Sequence, residues 1–210
     1  MYLEEIQEAV IRGDKAGTIE AVEKALAAGV EAGTILNEAM IPAMAIVGDR
    51  FERNEYFVPE MLIAARAMQA GVNLLKPLLV QSGVEPIGKV AIGTVKGDLH
   101  DIGKNLVMMM MEGSGFAIKD LGVNTDPEAF VEAAREGYQI IAMSALLTTT
   151  MPAMKTTIDA IAEAGLRDSV KIMVGGAPVT QSFADEIGAD GYSSDASGAA
   201  RLAKQLIGAA

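Results

Sequence analysis

The sequence contains no cysteine, no tryptophan and a single histidine, His100, among its 210 residues. Without cysteine, the chain forms no disulfides and offers no thiolate for catalysis or for an iron–sulfur cluster. Basic residues are also scarce, since 17 Lys and Arg stand against 28 Asp and Glu. The resulting net charge of -11 argues against nucleic-acid binding, because phosphate contacts need clustered Lys and Arg.

Long apolar runs are lacking as well, although 50% of the residues are hydrophobic. No stretch reaches the roughly eighteen uninterrupted apolar residues that a membrane-spanning helix requires, and the acidic N-terminus is unlike a signal peptide. We therefore expect a cytoplasmic protein without a membrane anchor. The apolar content suffices for the cores of one or two small domains.

His100 lies in a DxHxxG pattern with Asp98 and Gly103. The pattern follows a β-branched run at 90–95 and opens an apolar helical run, which predicts a strand-to-helix loop. A neutral imidazole is the commonest metal ligand, and its second nitrogen usually donates to a carboxylate, here Asp98. Taken alone, the pattern also fits an ordinary loop histidine beside an N-capping aspartate.

Two later segments end apolar runs in the same way, namely Ser144–Ala145–Leu146 and Gly175–Gly176. Loops at strand ends are where open α/β sheets bind ligands. The ordered set DxHxxG, SxL and GG resembles the cobalamin-binding domain shared by methionine synthase, corrinoid-dependent mutases and the corrinoid proteins of methyltransferase systems.

The resemblance implies that His100 replaces the dimethylbenzimidazole base beneath cobalt, so that the displaced nucleotide tail enters a slot lined by the SxL and GG segments. Asp98 and Thr150 would complete a relay with His100, Thr150 standing where methionine synthase has serine. Helix capping is the alternative role for Thr148 and Thr150. The implied cofactor-binding residues of this domain are Gly97, Asp98, Leu99, His100, Asp101, Gly103, Ser144, Leu146, Thr148, Gly175, Gly176, Tyr192 and Ala196. Lys96 and Lys104 flank the motif and are candidates for binding the nucleotide phosphate, and ordinary solvation at the surface is the alternative for each.

Residues 1–86 are predicted to form a helical domain. Apolar residues recur at i, i+3 and i+4 along four segments, 2–11, 14–28, 32–53 and 57–81. Pro42 lies inside the third segment and is expected to kink or split that helix. A four-helix bundle ending in a short linker at 82–86 follows from this pattern.

Residues 87–210 are predicted to form a second domain, in which β-like and α-like segments alternate five times. Such alternation indicates a parallel sheet covered by helices on both faces. Strands are predicted near 89–95, 116–121, 139–144, 170–174 and 190–192. The fold class is therefore α/β, with the helical bundle followed by a flavodoxin-like (Rossmann-type) five-stranded parallel sheet.

The helical domain also resembles the cap that precedes the cobalamin domain in methyl-carrying corrinoid proteins and in methionine synthase. The segments 47–51 and 56–60 carry this likeness. In that family the cap shields the upper face of the corrin, and Tyr56, Phe57 and Met61 are the candidates for this role. Packing in the bundle core is the alternative for each of them.

No GxSxG elbow, paired-carboxylate site or second metal-ligand cluster is present in the sequence. The resemblance implies a methyl-carrying subunit of one-carbon metabolism that is inactive alone and has methylcobalamin as its loaded form. Its partners would be a substrate-specific methyltransferase, a second methyltransferase serving tetrahydrofolate or a thiol such as coenzyme M, and a reductive activation protein. A cobalamin-binding sensor and a subunit of a corrinoid-dependent isomerase are the alternatives. The methyl donor, the oligomeric state and the lower base of the corrinoid stay open.

Overall fold

A computed structural model describes residues 2–83 and 85–209 of the chain. By its internal contacts the chain separates into two compact units. One comprises Met1–Pro86 with Gly113–Gly115, and the other comprises Ile87–Glu112 with Phe116–Ala210.

The first unit is helical. Its elements in chain order are α1 (Tyr2–Ile11), α2 (Lys15–Ala27), α3 (Ala32–Thr34), a π-helical segment (Ile35–Met40), α4 (Ile41–Glu52) and α5 (Val58–Ser82). Asp14 caps α2 by accepting a 2.9 Å hydrogen bond from the Gly17 amide. Gly83, with φ of 67°, ends α5 in the left-handed conformation that glycine tolerates.

Residues 32–52 form one continuous helical stretch, which is π-helical instead of α-helical in the turns immediately before Pro42. The Ile41 amide donates to the Leu36 carbonyl, five residues back, as in a π-helix. Pro42 has no amide hydrogen to continue the α-helical ladder, and the widened turns lie immediately before it. The predicted third helix is therefore distorted and not split, and the four-helix prediction is confirmed.

Small residues let these helices approach one another closely. A Cβ added at Gly71 of α5 would lie 2.4 Å from Cε of Met40 in the π segment. Met40 is fully buried, as are Ile6 of α1 and Val22 of α2. The helical unit thus has a methionine-rich and alanine-rich core in which one glycine sets the spacing.

The second unit is an α/β domain built on five parallel strands in the order β2-β1-β3-β4-β5. The strands are β1 (Lys89–Thr94), β2 (Ala117–Asp120), β3 (Ile140–Ser144), β4 (Lys171–Gly175) and β5 (Gly191–Ser193). The helices are α6 (Ile102–Gly113), α7 (Pro127–Arg135), α8 (Pro152–Glu163), α9 (Gln181–Ile187) and α10 (Ala196–Ile207), with a 3-10 turn at Arg167–Ser169. All five predicted strands are confirmed, and every observed end lies within one residue of its prediction.

The strand order places the predicted motifs at one edge of the sheet. Thr94 of β1 pairs with Ser144 of β3, and Ser144 pairs with Gly175 of β4. The three motif segments therefore leave the sheet side by side at its carboxyl edge. In this flavodoxin-like order the chain changes direction between β1 and β3, which is where such sheets bind their ligands.

Candidate cofactor-binding site

Asp98 is fully buried and accepts five hydrogen bonds on its two carboxylate oxygens. Oδ1 lies 2.6 Å from Nδ1 of His100 and 3.1 Å from the backbone nitrogen of the same residue. Oδ2 accepts from the Thr150 hydroxyl at 2.7 Å and from the backbone amides of Leu146 and Leu147 at 2.8 and 3.2 Å. The carboxylate therefore joins the loop after β1 to the loop after β3.

These hydrogen bonds decide the charge of Asp98. Burial by itself would raise the pKa of this carboxyl, but hydrogen bonds from Thr150, His100 and the Leu146 amide outweigh burial and hold the pKa well below its usual range. Asp98 is consequently ionised at neutral pH and acts only as a hydrogen-bond acceptor.

An ionised Asp98 sets the tautomer of the imidazole. Nδ1 of His100 carries the hydrogen that it donates to Asp98, which leaves the lone pair of Nε2 available to a metal. The His100 side chain is 50% exposed, so one part of the ring is anchored and another is accessible. In the described residues, no three His, Asp or Glu side chains are grouped to hold a metal ion among themselves.

Apolar side chains on the neighbouring loops are unusually exposed. Leu99 and Ile102 beside His100 are 71% and 77% exposed. Leu146 and Leu147, whose amides bind Asp98, are 43% and 42% exposed, and Val123 in the loop after β2 is 38% exposed. A half-exposed imidazole among apolar side chains fits a broad apolar ligand that carries a metal, which is the character of a corrin ring.

The glycines of the GG segment lie where adjacent loops approach each other closely. A Cβ added at Gly176, whose φ is 127°, would lie 1.9 Å from the Ala145 carbonyl oxygen. A Cβ at Gly175 would lie 3.2 Å from the Ser193 carbonyl oxygen. Glycine is thus required at position 176 because the backbones of adjacent loops meet there. That the GG segment lines the nucleotide slot stays a prediction.

The other predicted residues of this unit are distributed around the dyad of Asp98 and His100. Gly97, with φ of 86°, immediately precedes Asp98, and Gly103 lies in the first turn of α6 with open space around it. Asp101 is exposed and accepts from the Asn105 side chain at 3.2 Å, while Thr148 is exposed and Ser144 is half-buried.

Tyr192 and Ala196 make none of the side-chain hydrogen bonds to Asp98 or His100. Tyr192 packs against the hydrophobic core of this domain from β5, an edge strand. Ala196 is buried at the start of α10, which Asp195 caps through the Gly198 amide.

The three candidates in the helical unit have different environments. The Tyr56 hydroxyl donates to the Ile11 carbonyl at 3.1 Å and accepts from Arg50 at 2.9 Å. Met61 is buried, whereas the Phe57 side chain is 59% exposed.

Three residues beside the dyad were not predicted from the sequence. Leu147 donates its amide to Asp98, and the buried Thr94 donates its hydroxyl to the His100 carbonyl at 2.8 Å. Asn124, in the loop after β2, binds the backbone next to Asp98. Only Thr94 could have been found from the sequence, because a threonine at the last position of a strand commonly donates its hydroxyl to a nearby backbone carbonyl.

The two lysines that flank the motif are already paired within the protein. Lys104 is buried, and its Nζ lies 2.6 Å from Oδ1 of Asp120. Lys96 lies 2.7 Å from Asp126 on the surface. The structure therefore does not support a phosphate-binding role for Lys104.

None of the helices in the described ranges combines the length and the apolar character needed to cross a bilayer.

The chain is similar to known cobalamin-binding proteins over most of its length. Two families described as B12 binding domains match the chain, one over residues 88–201 and the other over residues 2–76. A dimethylamine corrinoid protein of Methanosarcina acetivorans is 42% identical over 98% of this chain and 97% of its own length. A corrinoid protein of Desulfitobacterium hafniense is 39% identical over 98% of this chain and 97% of its own length.

Solved structures show the same relationship. A cobalamin-binding protein from Desulfitobacterium hafniense superposes with a TM-score of 0.82 at 32% identity, covering 97% of this chain and 98% of that one. The methanol:cobalamin methyltransferase complex of Methanosarcina barkeri contains a chain that matches with a TM-score of 0.87 at 28% identity, covering 100% of this chain and 80% of that one. The chain therefore belongs to the B12-binding family of corrinoid proteins, and its cofactor is a corrinoid.

Proposed function

We propose that this chain carries a methyl group between two methyltransferases, one that takes the group from a substrate and one that passes it to tetrahydrofolate or to a thiol such as coenzyme M. A reductive activation protein would return the cofactor to its active state. The observation that carries the proposal is the dyad of Asp98 and His100, surrounded by exposed apolar side chains on the ligand-binding edge of the sheet. The bound cobalt would accept and release the methyl group.

The chain's own residues would bind and orient the cofactor. His100 would supply the lower ligand through Nε2, while Asp98 holds the ring by its Nδ1 hydrogen. Leu99, Ile102 and Leu146 would contact the apolar body of the corrin, since these side chains are the exposed ones beside the imidazole. Phe57 is our candidate for shielding the upper face, because it alone of the three candidates exposes most of its side chain.

Relatives support a methylated amine as the donor. Full-length relatives at 42% identity are dimethylamine corrinoid proteins, and the structural match to the monomethylamine corrinoid protein of Methanosarcina barkeri has 40% identity with a TM-score of 0.54. The match within the methanol system has the lower identity of 28%. We therefore place methylamines before methanol as the donor.

The test uses the purified chain loaded with cobalamin and reduced. It is incubated with dimethylamine-, monomethylamine- and methanol-specific methyltransferases and their substrates, and methyl transfer is followed by the absorbance of the bound corrinoid. Each methyltransferase is also assayed with its own corrinoid protein as a positive control. We expect transfer with at least one amine. Absence of transfer with both amines, while the controls react, would reject the donor assignment whether or not methanol serves as a donor.

Ligation by His100 is tested separately in the same preparation. His100→Ala should change the absorption spectrum from that of a histidine-ligated corrinoid to that of a water-ligated one, without unfolding the protein. An unchanged spectrum would exclude His100 as the lower ligand and remove the observation on which the proposal depends.

A further inference from the structure

The loop after β2 is hydrogen-bonded to the backbone immediately before His100. The amide of Asn124 donates a 2.8 Å hydrogen bond to the carbonyl of Asp98, and the side-chain Oδ1 of Asn124 accepts a 2.8 Å bond from the amide of Gly97. One residue therefore holds two successive residues of another loop, 27 positions away in the chain.

Asn124 adopts a left-handed backbone conformation. Its φ is 50°, and in the described ranges only Asn54 shares a positive φ among the residues other than glycine. Asparagine is one of the few residue types that tolerate this left-handed region, and it also carries an amide acceptor. Glycine would tolerate the backbone without supplying the acceptor, whereas aspartate would keep both properties.

Further contacts join the same two loops. Oδ1 of Asp120, at the end of β2, accepts from Lys104 in α6 at 2.6 Å and from the Gly122 amide at 2.9 Å. The amide of Thr94 donates to the Gly122 carbonyl at 2.9 Å. The segment 97–104 is consequently attached to β2 and its following loop at both ends.

The position of the Asp98 side chain depends on this backbone. The donors at Leu146, Leu147 and Thr150 come from the loop after β3 and reach Oδ2 only if the Asp98 backbone lies where it does. Charge-assisted hydrogen bonds of 2.6–2.8 Å, such as those on Asp98, lose strength quickly when donor or acceptor moves. Release of Gly97 and Asp98 would therefore loosen the orientation of the imidazole.

We propose that Asn124 is a positioning residue for the lower ligand, which acts through Gly97 and Asp98 to orient the His100 imidazole. The proposal rests on the proposed role of His100 as that ligand. Asn124 itself makes no hydrogen bond to the imidazole; its contribution is to hold the dyad in place before the cofactor binds. Preorganisation of this kind commonly changes metal affinity by about ten- to a hundred-fold.

The experiment compares Asn124→Gly, Asn124→Asp and the control Asn54→Gly with the wild type. Asn124→Gly deletes the acceptor and keeps the left-handed backbone accessible, and Asn124→Asp restores the acceptor. Asn54→Gly makes the same chemical change at the other left-handed asparagine, which follows α4 in the helical unit and donates its amide to the Phe51 carbonyl. Circular dichroism and thermal unfolding verify that each variant folds.

The first measurement is made without cofactor. Because His100 is the only histidine, ¹⁵N-detected imidazole spectra report its tautomer without assignment ambiguity. At about pH 9, where a histidine is ordinarily neutral, the wild type, Asn124→Asp and Asn54→Gly should show the Nδ1–H tautomer. Asn124→Gly should show a mixture of the two tautomers.

The second measurement is the dissociation constant for hydroxocobalamin, together with the spectrum of the complex. We expect about ten-fold weaker binding and a partly water-ligated spectrum for Asn124→Gly, at the low end of the range because the Asn124 side chain is exposed to solvent. Asn124→Asp should bind within about two-fold of the wild type.

Three results would count against these assignments. If Asn124→Gly matched Asn54→Gly in tautomer and affinity, Asn124 would not position the dyad. A failure of Asn124→Asp to retain the wild-type tautomer would refute the acceptor role even if Asn124→Gly did not fold. If the tautomer changed in Asn124→Gly while cofactor affinity and spectrum stayed the same, the lower-ligand role of His100 would be wrong and the positioning of the dyad would stand.

Discussion

The hydroxyl of Thr150 donates a 2.7 Å hydrogen bond to Oδ2 of Asp98, across 52 positions of the chain. Both residues are buried, and no buried side-chain nitrogen or oxygen in the described residues lacks a partner. The same hydroxyl lies 2.9 Å from the Leu147 carbonyl, but a charged acceptor is the stronger partner for its single hydrogen. The Thr150 hydroxyl, the Asp98 carboxylate and the His100 imidazole therefore form one hydrogen-bonded series.

Thr150→Val should destabilise the α/β domain, because it removes the hydroxyl at almost constant volume and leaves one carboxylate oxygen with fewer donors. We expect a loss of about 1–3 kcal/mol in the free energy of unfolding. Thr150→Ser keeps the hydroxyl and should lose less. Urea titration followed by circular dichroism measures both, since the chain has no tryptophan. Equal stability of the valine variant and the wild type would show that the hydroxyl contributes nothing.

Asp98→Asn should make the free energy of unfolding depend less on pH in the acid range. The pKa of Asp98 in the folded protein lies below its ordinary value of 3.8, so its ionised form stabilises the fold above about pH 4. This contribution is lost as the pH falls below 3.8 toward the folded-state pKa. The difference in unfolding free energy between wild type and variant should therefore be largest near neutral pH and shrink below about pH 4. A difference that is constant across this range would contradict the lowered pKa.

Gly176→Ala should cost much more stability than Gly165→Ala. Both glycines have positive φ, of 127° and 72°, but a Cβ at Gly176 meets the Ala145 backbone at 1.9 Å while a Cβ at Gly165 meets nothing within 4 Å. We expect a loss of roughly 3 kcal/mol or more for Gly176→Ala and of about 1 kcal/mol for Gly165→Ala. Similar losses for the two variants, measured on the apo-proteins, would mean that the loop after β3 can move away at little cost.

The three central strands, β1, β3 and β4, were accessible to sequence analysis because each is a short apolar run buried along most of its length. β1 and β3, for example, are buried along nearly their whole length, and a parallel strand in such a position has no need of polar alternation. The π segment before Pro42 was not accessible in the same way. A proline inside a helical pattern predicts a distortion, while the form of that distortion depends on how the neighbouring helices pack.

Within the candidate site, residue spacing anticipated only the local contact, whereas the non-local contact of Thr150 with Asp98 was anticipated from the family resemblance. Asp98 and His100 are two residues apart, and their 2.6 Å contact could be anticipated from that spacing. Asn124 reaches Gly97 from another loop, so no local pattern indicates it. The pairing of Lys104 with Asp120 was not evident for the same reason, because the burial of this lysine is a property of the tertiary structure.

The pair of Lys104 and Asp120 predicts an asymmetric response to mutation. Only 2% of the Lys104 side chain is exposed, compared with 43% for Asp120. Water therefore solvates the Asp120 carboxylate but not the Lys104 ammonium. Asp120→Asn leaves a buried ammonium without its counter-charge and should cost about 3 kcal/mol. Lys104→Met removes the buried charge and keeps the apolar stem, so the remaining carboxylate is solvated and the loss should be below about 1.5 kcal/mol.

The double variant Lys104→Met with Asp120→Asn decides between this account and a simple count of lost contacts. If the buried charge causes the damage, adding Lys104→Met to Asp120→Asn should recover part of the lost stability, since no unpaired ammonium then remains. If each contact contributed independently, the double variant would be less stable than either single one. Acid should weaken the wild-type pair as Asp120 takes up a proton. Burial raises the pKa of that carboxyl, but the hydrogen bonds from Lys104 and the Gly122 amide, together with the charge of Lys104, outweigh burial and lower it. Urea titrations of the four proteins at neutral pH, repeated near pH 3, would therefore show the three variants losing less stability on acidification than the wild type.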